Sequence, residues 1–127
     1  MQNPIISIIE SKGWCVADGA TGSNFFGRGL EAGYPPELWC LERPEEVLWL
    51  HRAFLAAGSD LILTNSFGGN ALRLKLHNAQ DRVRELNGAA ARLARQAVAE
   101  HQDKTGRKAV VQAPLAPPAS CLSPWAL

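Results

Sequence analysis

The sequence predicts an α/β fold assembled from parallel strand–helix–strand units. Residues 14–17 form an apolar run that ends in Asp18-Gly19-Ala20-Thr21-Gly22-Ser23. Further on, Gly58-Ser59-Asp60-Leu61-Ile62-Leu63-Thr64-Asn65-Ser66-Phe67-Gly68-Gly69-Asn70 repeats the plan, an apolar run that stops in polar and glycine residues. Two strands that each deliver polar groups at their carboxyl ends begin an α/β active-site face, because ligands in open sheets and in barrels sit at that end. The third observation is the order of elements along the chain. It reads strand, helix, strand, helix, strand, which favours right-handed crossovers and a parallel sheet.

The first strand is expected over residues 14–18, stopped by Gly19, with Gly19 and Gly22 allowing a tight turn. Residues 23–43 read as loop, rich in glycine and carrying Pro35-Pro36, with Tyr34, Trp39 and Cys40 inside it. Pro44 then opens a helix, because a proline at the first helical position loses no intrahelical bond. Glu45 and Glu46 suit the positive end of the helix dipole. Val47, Leu50, Phe54 and Ala57 make its apolar stripe, and Gly58 ends it.

Leu61-Ile62-Leu63 fits a strand buried on both faces. A second helix is expected over about 79–100, with Val83, Leu86, Ala90, Leu93 and Ala97 as its stripe. Asn78 is its candidate cap, and Arg82, Arg84, Arg92 and Arg95 form a solvated face. Residues 71–77 are ambiguous between strand and helical turn. Residues 109–111 read as a third short strand. Beyond Lys108 no charge occurs, and prolines crowd residues 113–127, an irregular tail unlike the rest.

Composition removes several classes of function. The chain has 127 residues, 13 Lys+Arg and 12 Asp+Glu, for a net charge of +1. That balance gives no electrostatic case for nucleic acid or an anionic membrane. The apolar stretch over residues 5–9 is too short for a signal or a span. Cys15, Cys40 and Cys121 are irregularly spaced, with no zinc pattern among them. A reducing, cytoplasmic setting is expected. His51 and His77 read as core-edge or solvated histidines.

Residues 8–111 resemble the homocysteine S-methyltransferase family, most of all its bacterial betaine–homocysteine methyltransferases. The chain is also similar to the homocysteine-binding domain of cobalamin-dependent methionine synthase. Three blocks in order carry the likeness: Val16-Ala17-Asp18-Gly19-Ala20-Thr21-Gly22-Ser23, then Pro36-Glu37-Leu38-Trp39, then residues 57–70. The resemblance implies a (β/α)8 TIM barrel, which needs about 250 residues. The expectation is therefore a partial barrel over residues 1–112, with about its first three strands and two helices, followed by the tail. The family's next loop is glycine-rich, whereas Gln112-Ala113-Pro114-Leu115-Ala116-Pro117-Pro118 stands here. A truncated or frame-shifted product is the expected reason.

The resemblance implies transfer of a methyl group, from a betaine-like donor, to the sulfur of homocysteine. A free thiol is mostly protonated at neutral pH, and zinc coordination makes it a thiolate. The family holds its zinc with cysteines on later strands, so no residue here is expected to ligate metal. What remains is substrate pocket. Asp18 would take the ammonium group of homocysteine, with Gly19 and Ala20 allowing close approach. Thr64, Asn65, Ser66 and Phe67 would line the wall, with Phe67 alternatively a core aromatic and Asn65 alternatively tying down the loop. Trp39 would offer an aromatic face to a quaternary ammonium donor, or simply pack. The competing expectation is a remnant or interaction module with weak amino-acid binding. The open strand edges of a partial barrel predict marginal stability or self-association.

Overall fold

Leu61-Ile62-Leu63 is the strand around which the rest is arranged. In the computed structural model, which describes residues 2–115, it forms β1 (Leu61–Leu63) and pairs in parallel with β2 (Val110–Gln112). The register sets Leu61 against Val110, Ile62 against Val111 and Leu63 against Gln112. On its other edge β1 meets residues 16–18, again in parallel, through a single bridge between Ala17 and Leu61. Leu61 N–H donates to Val16 O at 3.1 Å, and Asp18 N–H donates to Leu61 O at 3.0 Å. The expected parallel order is thus present.

The first strand itself is shorter than expected. Helix α1 (Pro4–Lys12) ends only at Gly13, at φ 89°, and backbone bonding to the β1 segment is confined to residues 16–18. Sequence reading gave no helix at α1. Its signal is local: Asn3 Oδ1 accepts the Ile5 N–H at 2.9 Å, and Pro4 follows. The segment escapes an amphipathic search because none of its residues is buried.

The stretch read as loop, 23–43, contains α2 (Gly22–Phe26), a 3-10 turn at Pro36–Leu38 and α3 (Trp39–Glu42). Phe25, Leu38, Trp39 and Cys40 are buried, and short helical turns satisfy the backbone polar groups that go inside with them. Cys40 therefore lies in a helix.

Helix α4 (Pro44–Ala57) follows its expected bounds. Gly58 stops it at φ 111°, where Ser59 N–H reaches back to Phe54 O at 3.1 Å. Residues 71–77 are helical, α5 (Ala71–Leu74) and a 3-10 turn at Lys75–His77, capped by Asn70. Asn78 does not cap the next helix. It ends this turn at φ 55°, a left-handed conformation that asparagine tolerates. A further turn at Gln80–Arg82 leads into α6 (Val83–Thr105), which starts and ends later than expected. β2 begins one residue later than expected.

Ile62 points toward the helices and is fully buried with Leu48 and Leu55 of α4 and Ala94 and Ala97 of α6. Burying such a side chain contributes about 1.5–3 kcal/mol. The alanines let α4 and α6 sit close to the strands. A second cluster, with Phe25, Trp39, Val47, Leu50 and Ala90, fixes the 22–43 segment against the same helices. Strand alternation turns Leu63 the other way, and with Val16 it leaves an exposed apolar face. His51, expected solvated or at the core edge, is buried, whereas His77 is exposed. The described residues thus give an α/β fold, rich in helix, with a small parallel sheet. The tail over 116–127, with Cys121, lies outside them.

Candidate functional site

Parallel pairing brings the carboxyl ends of residues 16–18 and β1 to one rim. Asp18 there accepts the Leu63 N–H at 3.0 Å, so its carboxylate sits beside the start of residues 64–67. Its burial raises its pKa above the ordinary carboxylate value, against the opposing Leu63 N–H. Among the described residues no ion pair neutralises it. Gly19 follows, and a Cβ there would meet the Phe54 ring at 3.2 Å. Gly19 therefore lets the chain pack closely on Phe54 of α4.

Next to Leu63 lies a cavity of about 320 Å³, walled by Thr21, Glu37, Thr64, Asn65, Ser66 and Phe67 among others. Thr64 and Ser66 share a hydroxyl–hydroxyl bond at 2.7 Å. Asn65 Nδ2 donates to Pro36 O at 2.8 Å, so this buried amide does tie the loop to a neighbour. Phe67 stays more than half exposed at the mouth, with the Arg73 guanidinium 5.5 Å from its ring. Of the expected residues, Thr64, Asn65, Ser66 and Phe67 line this cavity, whereas Asp18 and Gly19 are not in its lining and Asp18 adjoins it through the Leu63 N–H.

Trp39 is not among them. It belongs to the core, its ring 4.9 Å from that of Phe25 and covered by the Arg43 guanidinium at 4.5 Å. The reason is that residues 36–42 coil into turns that bury the indole. Its edge reaches a separate shallow depression with Tyr34 and Glu42.

Two residues with no role assigned from sequence hold the loop. Glu37, buried, accepts the Gly68 N–H at 2.7 Å. Asn87 of α6 donates Nδ2 to Gly69 O at 2.7 Å. The only sequence hint was Pro36-Glu37-Leu38-Trp39 as a block; nothing local pairs Glu37 with Gly68.

Of the two described cysteines, Cys40 is buried and Cys15 half-buried. Burial pushes the Cys40 thiol up to about 12, and its sulfur lies 3.5 Å from Asn65 O. Among the described residues no three of His, Cys, Asp and Glu gather as a metal-binding group. Nor is any described helix long and apolar enough to cross a membrane.

The fold has counterparts among known proteins. The structure is similar to a metallated form of the homocysteine methyltransferase MmuM from Escherichia coli, with a TM-score of 0.81 and 20% identity, over 93% of this chain and 43% of that one. In sequence the chain is 32% identical over 110 residues to methionine synthase of Mycobacterium tuberculosis, covering 80% of itself and 9% of that enzyme. It is 32% identical over 93 residues to methionine synthase of Mycobacterium leprae, covering 67% of itself and 8% of that enzyme. It therefore spans less than half the length of MmuM and about a tenth of the synthases. The family model for homocysteine S-methyltransferase matches residues 15–125, a span that runs into the Pro-rich stretch. With that match over most of its length, the chain belongs to the homocysteine S-methyltransferase family.

Proposed function

We propose that this chain supplies the amino-acid-binding part of a homocysteine S-methyltransferase barrel. The observation that carries the reading is Asp18, half-buried and without a cation among the described residues, beside residues 64–67 at the carboxyl ends of parallel segments. A carboxylate so placed suits the ammonium group of homocysteine through a charge-assisted bond. Gly19 and Ala20 give the ligand backbone room. Asn65 secures the wall, and Phe67 lines the mouth.

In the reaction the homocysteine sulfur, as thiolate, attacks the methyl carbon of an onium donor of the betaine kind. The new S–CH3 bond forms as the C–N bond breaks, and its electron pair leaves with the amine, giving methionine. The described residues gather no zinc site, so no step is assigned to metal within them. Their share is binding and orientation, which sets the reacting sulfur against the donor. Residues 1–112 are read as the opening part of the barrel and 113–127 as tail. A cytoplasmic setting remains a proposal of the same reading.

A non-catalytic binding module is the second reading. It is favoured by the lack of a metal-binding group among the described residues. Calorimetric titration of the 127-residue protein with homocysteine, beside a methionine assay with betaine and zinc, separates the two. Binding with methionine formation supports the enzyme. Binding alone supports the module, and no binding defeats both.

A further inference from the structure

We propose that Glu37 is a positioning residue: by accepting the Gly68 N–H it fixes the 64–67 wall of the cavity in its ligand-ready place. The substrate side of this inference rests on the homocysteine reading above. Three observations converge on it. Glu37 is only 6% exposed, and its Oε1 meets the Gly68 N–H at 2.7 Å. A Cβ on Gly68 would come within 2.8 Å of that same oxygen, so glycine is what allows the contact. One residue earlier in the same turn, Pro36 O accepts the Asn65 amide at 2.8 Å. The Pro36–Leu38 turn therefore grips the wall at both ends, at Asn65 and at Gly68. Phe67 lies between the two grips.

The opposite side of the loop is held as well. Asn87 binds Gly69 O at 2.7 Å and Val83 O at 2.8 Å, and a Cβ on Gly69 would crowd Asn87 Oδ1 at 2.9 Å. The two glycines are thus sites of close approach by polar side chains from two separate elements. Such a double hold removes conformational freedom before a ligand arrives, which is how preorganisation raises affinity. Breaking the Glu37 grip leaves the Asn87 hold, so the loop loosens while the fold survives.

The test compares Glu37→Ala, Glu37→Gln and Gly68→Ala with the wild-type 127-residue protein. Two readouts are used: amide exchange at Gly68 and Gly69 by NMR, and homocysteine affinity by calorimetry. Glutamine keeps an acceptor oxygen for the Gly68 N–H but loses the charge. Gly68→Ala displaces the loop while keeping the carboxylate, and serves if Glu37→Ala fails to fold. Loss of a charged hydrogen bond predicts about a tenfold or greater rise in Gly68 exchange in Glu37→Ala and Gly68→Ala. Affinity falls in parallel, while Glu37→Gln stays within about threefold of wild type on both readouts. If Glu37→Gln loses affinity as fully as Glu37→Ala while its exchange stays slow, Glu37 binds ligand by charge and the positioning role is overturned. Unchanged exchange in Glu37→Ala and in Gly68→Ala also overturns it. If wild type binds no homocysteine, the substrate reading fails, and the exchange data still judge Glu37.

Discussion

At the amino-terminal rim of the sheet, Asp60 is met by the Lys12 ammonium, by the Val16 N–H at 2.9 Å and by the Arg107 guanidinium at 3.7 Å. At the carboxyl-terminal rim, Asp18 and Glu37 accept the N–H groups of Leu63 and Gly68. Among the described residues neither of those two joins an ion pair. One rim neutralises its acid from within the chain, whereas the other uses Glu37 on the Gly68 N–H and leaves Asp18 with no cation among the described residues. A buried carboxylate costs free energy unless its charge is answered. The first rim therefore reads as structural, a clasp from α1 and the approach to β2 onto the start of β1. The second reads as a place where a cation from outside completes the balance.

Titration gives the two rims opposite signs. For Asp60, burial raises the pKa, but the Lys12 bond, the Val16 N–H and the charges of Lys12 and Arg107 outweigh it and leave it lowered. Its stabilisation is present above the unfolded value near 3.8 and is lost as pH falls through the folded value. For Asp18 the folded pKa is raised by burial. Stability from that group is present below the unfolded value near 3.8 and is lost as pH rises through the folded one.

The largest acid effect is expected from neither rim. His51 of α4 is buried with both ring nitrogens unpartnered, and burial pushes its pKa down from 6.5 to about 4. Its unfolded form takes up a proton first, so stability is full above pH 6.5 and falls toward pH 4. The loss is on the order of 3 kcal/mol across that window. Urea unfolding at pH 7, 5.5 and 4 checks it, with His51→Leu as the comparison. An equally acid-sensitive leucine variant would place the loss elsewhere and blur the contrast between the rims.

Asp60→Asn is the next largest. It removes the charge that answers Lys12 and weakens the hold on Val16, and about 2 kcal/mol of stability should go with it. Homocysteine affinity should stay near wild type, since Asp60 lies at the far end of the strand. Urea midpoints and calorimetry measure the two. A variant as stable as wild type would mean that α1 is not clasped through Asp60.

How much of this was legible follows from how local each signal was. Helix α4 is written in adjacent residues, Pro44 and the two glutamates at its start and Gly58 at its end. β1 is likewise its own three apolar residues. Asp18 and residues 64–67 were legible as a pair because parallel strands carry their carboxyl ends to one rim. Distant partners were not legible. Trp39 became core because Phe25 and Arg43 close over it. Glu37 and Asn87 became loop anchors through glycines far along the chain. The 14–18 strand shrank to one bridge, with α1 running to Gly13 immediately before it.

The smallest effect on stability is the sharpest for function. Asp18→Asn keeps an oxygen to accept the Leu63 N–H but removes a half-buried charge that no cation in the described chain answers. At pH 7 the variant should be as stable as wild type or more so, by no more than about 1 kcal/mol. Its affinity for homocysteine should fall about tenfold or more, because the ammonium loses its counter-charge. Thus the two asparagine variants should part company: Asp60→Asn loses stability and keeps binding, whereas Asp18→Asn keeps stability and loses binding. Thermal melts and calorimetry on the pair read all four quantities. If Asp18→Asn destabilises as much as Asp60→Asn, Asp18 is a structural acid like its counterpart. The carboxyl-terminal rim would then have no open charge to offer a ligand.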